Sequence, residues 1–317
     1  MRVLIFLILL FFATIFVAPF IGPNAGEAQV WVFWQLRVPR ILCALAAGGA
    51  LAVCGAVFQA VFRNPLATPF TLGTASGAAL GVSLLIFLAP GAGAFLTFFP
   101  AVSPLVLAAF SGALLSLSMI FAIVRFSRRT TDSDMLLAGV AVSFLYSSLI
   151  MLLQYLSDPT QTVRMLRWTM GGLERGGGYI PILTILPWVL PAFGILFWFH
   201  RELDLFCMGT ELAHARGVAT ARTRTILLVT VSLLTAAVVS VCGPISFIGL
   251  MIPHIIRKWT GTRHRILLPA SFLAGATLLV TCDTVARTII FPDEIPVGIF
   301  TALLGGPFFL AQVMFRK

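Results

Sequence analysis

The sequence offers few residues with which to do chemistry. Its four histidines, His200, His214, His254 and His264, are the natural candidates for a metal site or a general base. No H-E-x-x-H occurs, however, and no carboxylate stands at a spacing that would complete a ligand set. The only lysines are Lys258 and Lys317. Neither follows a glycine-rich loop and G-x-x-x-x-G-K-[ST] is absent, so the chain does not bind ATP through a P-loop. Cys43, Cys54, Cys207, Cys242 and Cys282 form no C-x-x-C pair and read as small apolar packing residues, four in apolar segments and Cys207 in a polar loop. One acid, Asp283, is embedded in an apolar stretch with Arg287 four residues later. That spacing reads as mutual neutralisation on one helix face, which leaves a proton or ion relay little to work with. No metal, cofactor or catalytic residue is expected.

The elements that carry these residues follow from composition. Of 317 residues, 59% are hydrophobic and 10% charged, against about 25% charged in a soluble domain. Mean hydropathy is +1.04. This alphabet cannot build a water-facing surface, and it specifies an all-α integral membrane protein. The net charge of +10 sits in short basic clusters between apolar runs, the pattern of loops under the positive-inside bias rather than of nucleic-acid contact. The opening run MRVLIFLILLFFATIFVAPFIGP has an apolar core of about 20 residues and no small-residue cleavage site, so it reads as a retained first helix.

A spanning helix needs about 20 apolar residues at 1.5 Å each. Segments are expected near 3–22, 38–62, 70–89, 103–126, 135–156, 179–199, 224–242, 245–257, 266–286 and 296–314. Ten crossings place both termini on one side. With the termini inside, 15 of the 21 Lys and Arg residues are cytosolic, so the N and C termini are expected in the cytosol. The whole of 1–317 reads as one transmembrane domain. Its two stretches of about 38–156 and 224–314 each hold four crossings entered from opposite faces, which suggests an inverted repeat.

Within this series GPISFIGLMIPHIIRK, residues 243–258, is out of place. A helix over 245–257 spans only about 20 Å of a hydrocarbon core of about 30 Å. Pro244 suits a helix start. Pro253 lies inside and frees a carbonyl one turn back, which lipid cannot satisfy. The segment must therefore be surrounded by protein, either as a packed proline kink or as part of a transport core. Helix 70–89 carries Gly73, Gly77 and Gly81 at every fourth position, a bare stripe for close approach of another helix.

The longest polar stretch, a loop at about 200–224, contains GTELAHARG. It reads as a short helix with Thr210 as N-cap, Glu211 in the first turn, Arg216 near the end and Gly217 as C-cap. Such a helix outside the membrane is either a docking knob for another protein or an ordinary interfacial loop helix. On the outer side Arg37, Arg40 and Arg287 either snorkel to the interface or pair with carboxylates of a docking partner.

Several stretches in order, RVPRILCALAAGGALAVCGAVFQAVFRNPLATPFTLGTASGAALG, GPISFIGLMIPHIIR, HRILLP, DTVAR and EIPVGIFTALLGGPFF, resemble the FecCD family of ABC-importer permeases, over about residues 35–314. The family includes permeases for vitamin B12, iron–siderophores and haem. The resemblance implies the membrane subunit of a type II ABC importer in a bacterial inner membrane, carrying a metal chelate, with iron–siderophore first and corrinoid or haem next. The implied partners are two ABC ATPase subunits, a periplasmic binding protein, a second permease copy or paralogue, and membrane lipid, with no nucleic acid. By resemblance, Gly209, Thr210, Glu211, Leu212, Ala213, His214, Ala215, Arg216 and Gly217 form the coupling segment seated in the ATPase, and Arg37 and Arg287 pair with the binding protein. Thr131, Asp132 and Ser133 fall in the family's cytosolic gate region, where Asp132 replaces a small hydroxyl residue of the B12 permease. The competing classes are an ion-coupled secondary transporter and a structural membrane scaffold.

Overall fold

The computed structural model describes residues 2–22, 29–89, 103–126, 132–173, 178–290 and 293–314, and among them every regular element is helical. Helix α1 (Arg2–Val17) ends in a 3-10 turn, Ala18–Phe20, whose Pro19 stops the helix short of the expected residue 22. Helix α2 (Gln29–Val32) passes through a π turn, Phe33–Arg37, into α3 (Val38–Val61). The result is a continuous 33-residue apolar helix that starts nine residues before the expected position 38. The physical reason is Pro39: it has no N–H to give the preceding turn, and the wider π turn accommodates the lost bond without ending the helix.

The chain continues with α4 (Thr74–Leu88), α5 (Pro104–Phe126), α6 (Asp132–Leu156), α7 (Pro159–Thr169), α8 (Ile180–Trp198), α9 (His200–Met208) and α10 (Thr210–Ala215). It closes with α11 (Thr220–Cys242), α12 (Ile248–Thr260), α13 (His264–Ala286) and α14 (Val297–Met314). Among the described residues seven helices are long and apolar enough to cross a membrane; α4 and α14 are apolar but shorter. Helix α7 was not anticipated. Its start is nevertheless written in the sequence as a capping box, with Asp158 accepting from the Gln161 N–H at 2.8 Å and Gln161 reaching back to the Asp158 N–H. The Gln161 side chain also donates to the Ile86 carbonyl at the end of α4.

Helix α3 is the axis of the bundle and is buried almost throughout from Ile41 to Val61. Its small residues let α13 and α12 come into backbone contact. A Cβ on Gly48 would fall on the Gly275 carbonyl of α13, and one on Gly55 on the Gly249 carbonyl of α12. Without a hydrophobic drive between helices in lipid, such close van der Waals packing is what holds them. The Gly77 and Gly81 stripe of α4 meets α5 in the same way, at Gly112 and Ala108. Helix α1 lies at the periphery and buries only 17% of its span, with Phe6, Leu9, Phe12 and Phe16 facing outward.

Candidate functional site

Three places in this bundle depart from simple apolar packing. The first is the join between α11 and α12. Gly243 to Ser246 is not helical, and Pro244 lies in this connection rather than at a helix start. Helix α12 begins four residues later, at Ile248, from Phe247 in the left-handed region at φ 67° and ψ −23°. A non-glycine residue there costs about 1–3 kcal/mol and persists only where its surroundings impose it. The surroundings are close. A Cβ on Gly171 would strike the Pro244 carbonyl, and one on Gly305 the Phe247 ring. Gly172 N–H caps the Cys242 carbonyl at 2.7 Å.

Pro253 frees the Gly249 carbonyl, and the bundle supplies a donor from α3. Gln59, buried at 4% exposure, gives its amide N–H groups to the Gly249 and Leu250 carbonyls at 3.4 and 3.2 Å. Its Oε1 accepts from Arg257 on the next turn of α12, and Arg257 also donates to the Ala56 carbonyl at 3.3 Å. Thus α12 is stitched to α3 by one amide and one guanidinium. Sequence reasoning located the freed carbonyl but missed Gln59. The available signal was a lone amide within a long run of small apolar residues.

The second place is α9–α10. Gly209, at φ 125° and ψ 145°, breaks the chain between the two helices and is the N-cap residue of α10, so Thr210 is the first helical residue rather than the cap. Glu211 lies in the first turn, where a negative charge suits the helix dipole. At the other end Gly217 N–H bonds the His214 carbonyl and Val218 N–H the Ala213 carbonyl, with Gly217 at φ 84°. This is a Schellman closure, and it places Gly217 one residue beyond the cap, Arg216. Ala213 is buried, whereas Glu211, Leu212, His214, Ala215, Arg216 and Gly217 are exposed. Leu203 and Phe206 anchor α9 in the bundle.

Asp204 of α9 accepts from the backbone N–H of His264 at 2.8 Å and faces its ring Nδ1 at 2.7 Å. Burial works against the carboxylate, but the ring and backbone N–H of His264, with the nearby imidazoles of His264 and His200, hold its pKa below the ordinary aspartate value.

The third place is a charge cluster at the opposite end of α3 and α13. Asp283, 1% exposed, is held by Arg40 through Nε at 3.1 and 3.0 Å and Nη2 at 2.8 Å. Arg40 also reaches Glu294 at 2.6 Å. The expected Asp283–Arg287 neutralisation is therefore only part of the arrangement: the hydrogen-bonded partner comes from α3, which the glycine contacts bring against α13, while Arg287, whose charge also acts on Asp283, donates to the Ala18 carbonyl at 2.8 Å. Arg37 reaches the neighbouring Pro19 carbonyl at 3.2 Å. Both arginines are buried, at 7% and 8% exposure. Of the expected gate residues, Thr131 lies outside the described residues, Asp132 is the first residue of α6, and Ser133 is exposed in its first turn. Among the described residues no three His, Cys, Asp or Glu side chains come together to hold a metal ion.

Among the described residues this geometry adds a few buried polar contacts to apolar packing. It provides a protein-enclosed broken helix, an exposed capped helix on a buried anchor, and a neutralised acid. Comparison with known proteins agrees. The chain is 40% identical over 91% of its length, and 85% of the relative's, to the hemin transport system permease protein of Yersinia pestis. It is 39% identical to the Fe(3+) dicitrate transport system permease protein of Escherichia coli over 90% of this chain and 86% of that one. A solved structure described as an inward-facing conformation of a metal-chelate type ABC transporter superimposes with a TM-score of 0.87 at 32% identity, covering 99% of both chains. The model of the FecCD transport family matches residues 2–315. The chain belongs to the FecCD transport family, and it is a transport permease rather than an enzyme.

Proposed function

We propose that this chain is the membrane-spanning subunit of a type II ABC importer that passes a metal chelate from a periplasmic binding protein to the cytosol of a bacterium. Iron–siderophore is the first choice of cargo and corrinoid or haem the next. In this reading the chain crosses the inner membrane ten times with both termini cytosolic, and the stretches 38–156 and 224–314 are inverted repeats within one domain. Two such chains, identical or paralogous, flank the pathway. The observation that carries the reading is α10: a six-residue helix closed at its far end, exposed over most of its surface and borne on the buried Leu203 and Phe206, in a family member that has no P-loop of its own.

Residues 209–217 seat in the partner ATPase, whose closure on ATP displaces α10 and reorients the bundle. Thr131, Asp132 and Ser133 border the cytosolic gate. Arg37 and Arg287 receive acidic groups of the binding protein; since both are buried against Ala18 and Pro19, docking there has to displace that turn. The bidentate grip of Arg40 on Asp283 argues against an ion-coupled secondary transporter, because it occupies the one embedded acid among the described residues.

The test is uptake in proteoliposomes holding this chain with its neighbouring ATPase and binding protein, offered a ferric siderophore, cobalamin or haem. ATP-dependent uptake of one of them is expected, and uptake driven by an ion gradient without ATP would sink the reading. In the same system the double variant Arg37→Glu, Arg287→Glu is expected to weaken binding-protein docking and to make it more salt-sensitive. Unchanged docking removes both residues from that role.

A further inference from the structure

We infer that Asp204 is a positioning residue: it is the joint through which displacement of the α9–α10 pair reaches α13. The inference rests on the permease reading above and deepens it by naming the transmission element.

Helix α10 is joined in sequence to α11 through Arg216, Gly217, Val218 and Ala219, of which Gly217 is left-handed and Arg216, Gly217 and Ala219 are exposed. That connection contains no helix and is a poor transmitter of force. At its other end the pair is joined to α8 through Phe199 alone, and its link to α13 is not covalent. One carboxylate oxygen of Asp204, on α9, caps the first turn of α13 by accepting the His264 backbone N–H, and the same oxygen faces the His264 ring. A carboxylate at a helix N-terminus satisfies a donor that has no partner within the helix and meets the positive end of its dipole. His264 is fully buried, and Leu203 and Phe206, flanking Asp204 on α9, are buried beside it. The contact is thus set in packed protein on the His264 side, with the Asp204 side chain 32% exposed, and α9 cannot shift without either moving the start of α13 or breaking the cap.

What α13 would carry makes the joint consequential. It is a 23-residue helix, about 35 Å long. It lies against α3 at Gly48 and Gly275 and ends beside Asp283, which binds Arg40 and through it Glu294. A push delivered at His264 therefore has a continuous helical path, past Pro269, to the outer charge cluster. Interfaces packed to this density respond by shifting as bodies rather than by bending.

The experiment uses the assembled transporter with ATPase and binding protein, and compares wild type with Asp204→Ala and Asp204→Asn. The readouts are complex assembly, ATP hydrolysis without binding protein, and chelate taken up per ATP hydrolysed. Asp204→Ala is expected to leave the basal hydrolysis rate near wild type while uptake per ATP falls about tenfold. Asp204→Asn keeps an acceptor for the backbone N–H and is expected to recover most of that loss. A merely structural role would lower assembly and hydrolysis together and leave the ratio unmoved, and that result overturns the inference.

A second variant keeps the test independent of folding. In a Cys207→Ser background, the pair Asp204→Cys with His264→Cys is compared reduced and oxidised in one preparation. Low uptake per ATP when reduced, with recovery on cross-linking, supports the joint; equal ratios in the two states overturn it. A wild-type complex that neither hydrolyses ATP nor takes up any chelate would overturn the permease reading and the joint with it.

Discussion

Helices α4 and α12 each follow an irregular stretch and each start from a residue in the left-handed region, Gly73 at φ 69° and Phe247 at φ 67°. Beyond that cap they are held differently. Helix α4 meets α5 through bare backbone at Gly77, Gly81 and Gly112. Its own side chains bond through hydroxyls such as Ser76, which bonds Ser143 at 3.2 Å, and the Gln161 amide reaches only the Ile86 carbonyl in its last turn. Helix α12 also approaches its neighbour through glycines, Gly55 and Gly249, but it adds the Gln59 amide and the Arg257 guanidinium. The difference lies in the backbone. Pro253 leaves a carbonyl without its N–H donor, and within a membrane that group must find a partner in the protein. No proline interrupts α4, so small residues suffice there. At α12 the polar side chains appear where the main chain is short of a partner.

The largest effect expected from breaking this comparison is common to both helices. Gly55→Leu and Gly112→Leu each drive a side chain into a facing backbone, and each should cost about 3 kcal/mol or more, read as loss of folded protein or of thermal stability in detergent. A tolerated Gly55→Leu would mean that α3 and α12 are not in backbone contact. The next effect separates the two helices. Gln59→Leu leaves two carbonyls and Arg257 without their amide partner and should cost about 1–3 kcal/mol, whereas Ser143→Ala beside α4 should cost no more than about 1 kcal/mol. Equal melting temperatures for the two variants would remove the distinction.

The smallest effect concerns acid. Neither α4 nor α12 contains a carboxylate, although α12 carries His254, so protonation of carboxylates does not separate the two regions. The contact of Asp204 with the start of α13 is one that acid should release. Its folded pKa lies below the ordinary value, so its contribution is fully present above the unfolded aspartate pKa and is lost as pH falls through the lower folded one. Thermal stability of Asp204→Asn measured against wild type should therefore show a constant gap from neutrality to about pH 5, closing only in stronger acid. A gap that closes between pH 7 and 6 would point to a different group.

Much of the helical skeleton was legible in the chain. Apolar runs of about 20 residues have few alternatives to helix in lipid, and a helix occupies each of the ten expected intervals. Helix ends were less legible. The segment expected from residue 38, just before Pro39, is helical from Gln29, and Pro244 was read as suiting a helix start where the structure has the connection before α12. Both differences arise because a proline marks only a missing N–H; whether the chain turns, widens or extends there depends on what packs around it.

The sequence by itself determined the class of molecule: a mostly apolar membrane chain, the absence of a P-loop, a strained segment at 243–258 that must be shielded from lipid, and a capped helix at 209–217. These follow from local chemistry, since hydropathy, a missing amide hydrogen and a terminal glycine act within a few residues of where they are written. Only the tertiary structure decided the partners: Gln59 for the carbonyl that Pro253 exposes, Arg40 as the hydrogen-bonded partner of Asp283, and Asp204 for the first turn of α13. Those pairs are separated by 190 residues or more in the first two cases and by 60 in the last. A polar group in a low-dielectric interior binds whichever complement the packing of small residues brings within 3 Å or so, and no pattern along the chain records that choice.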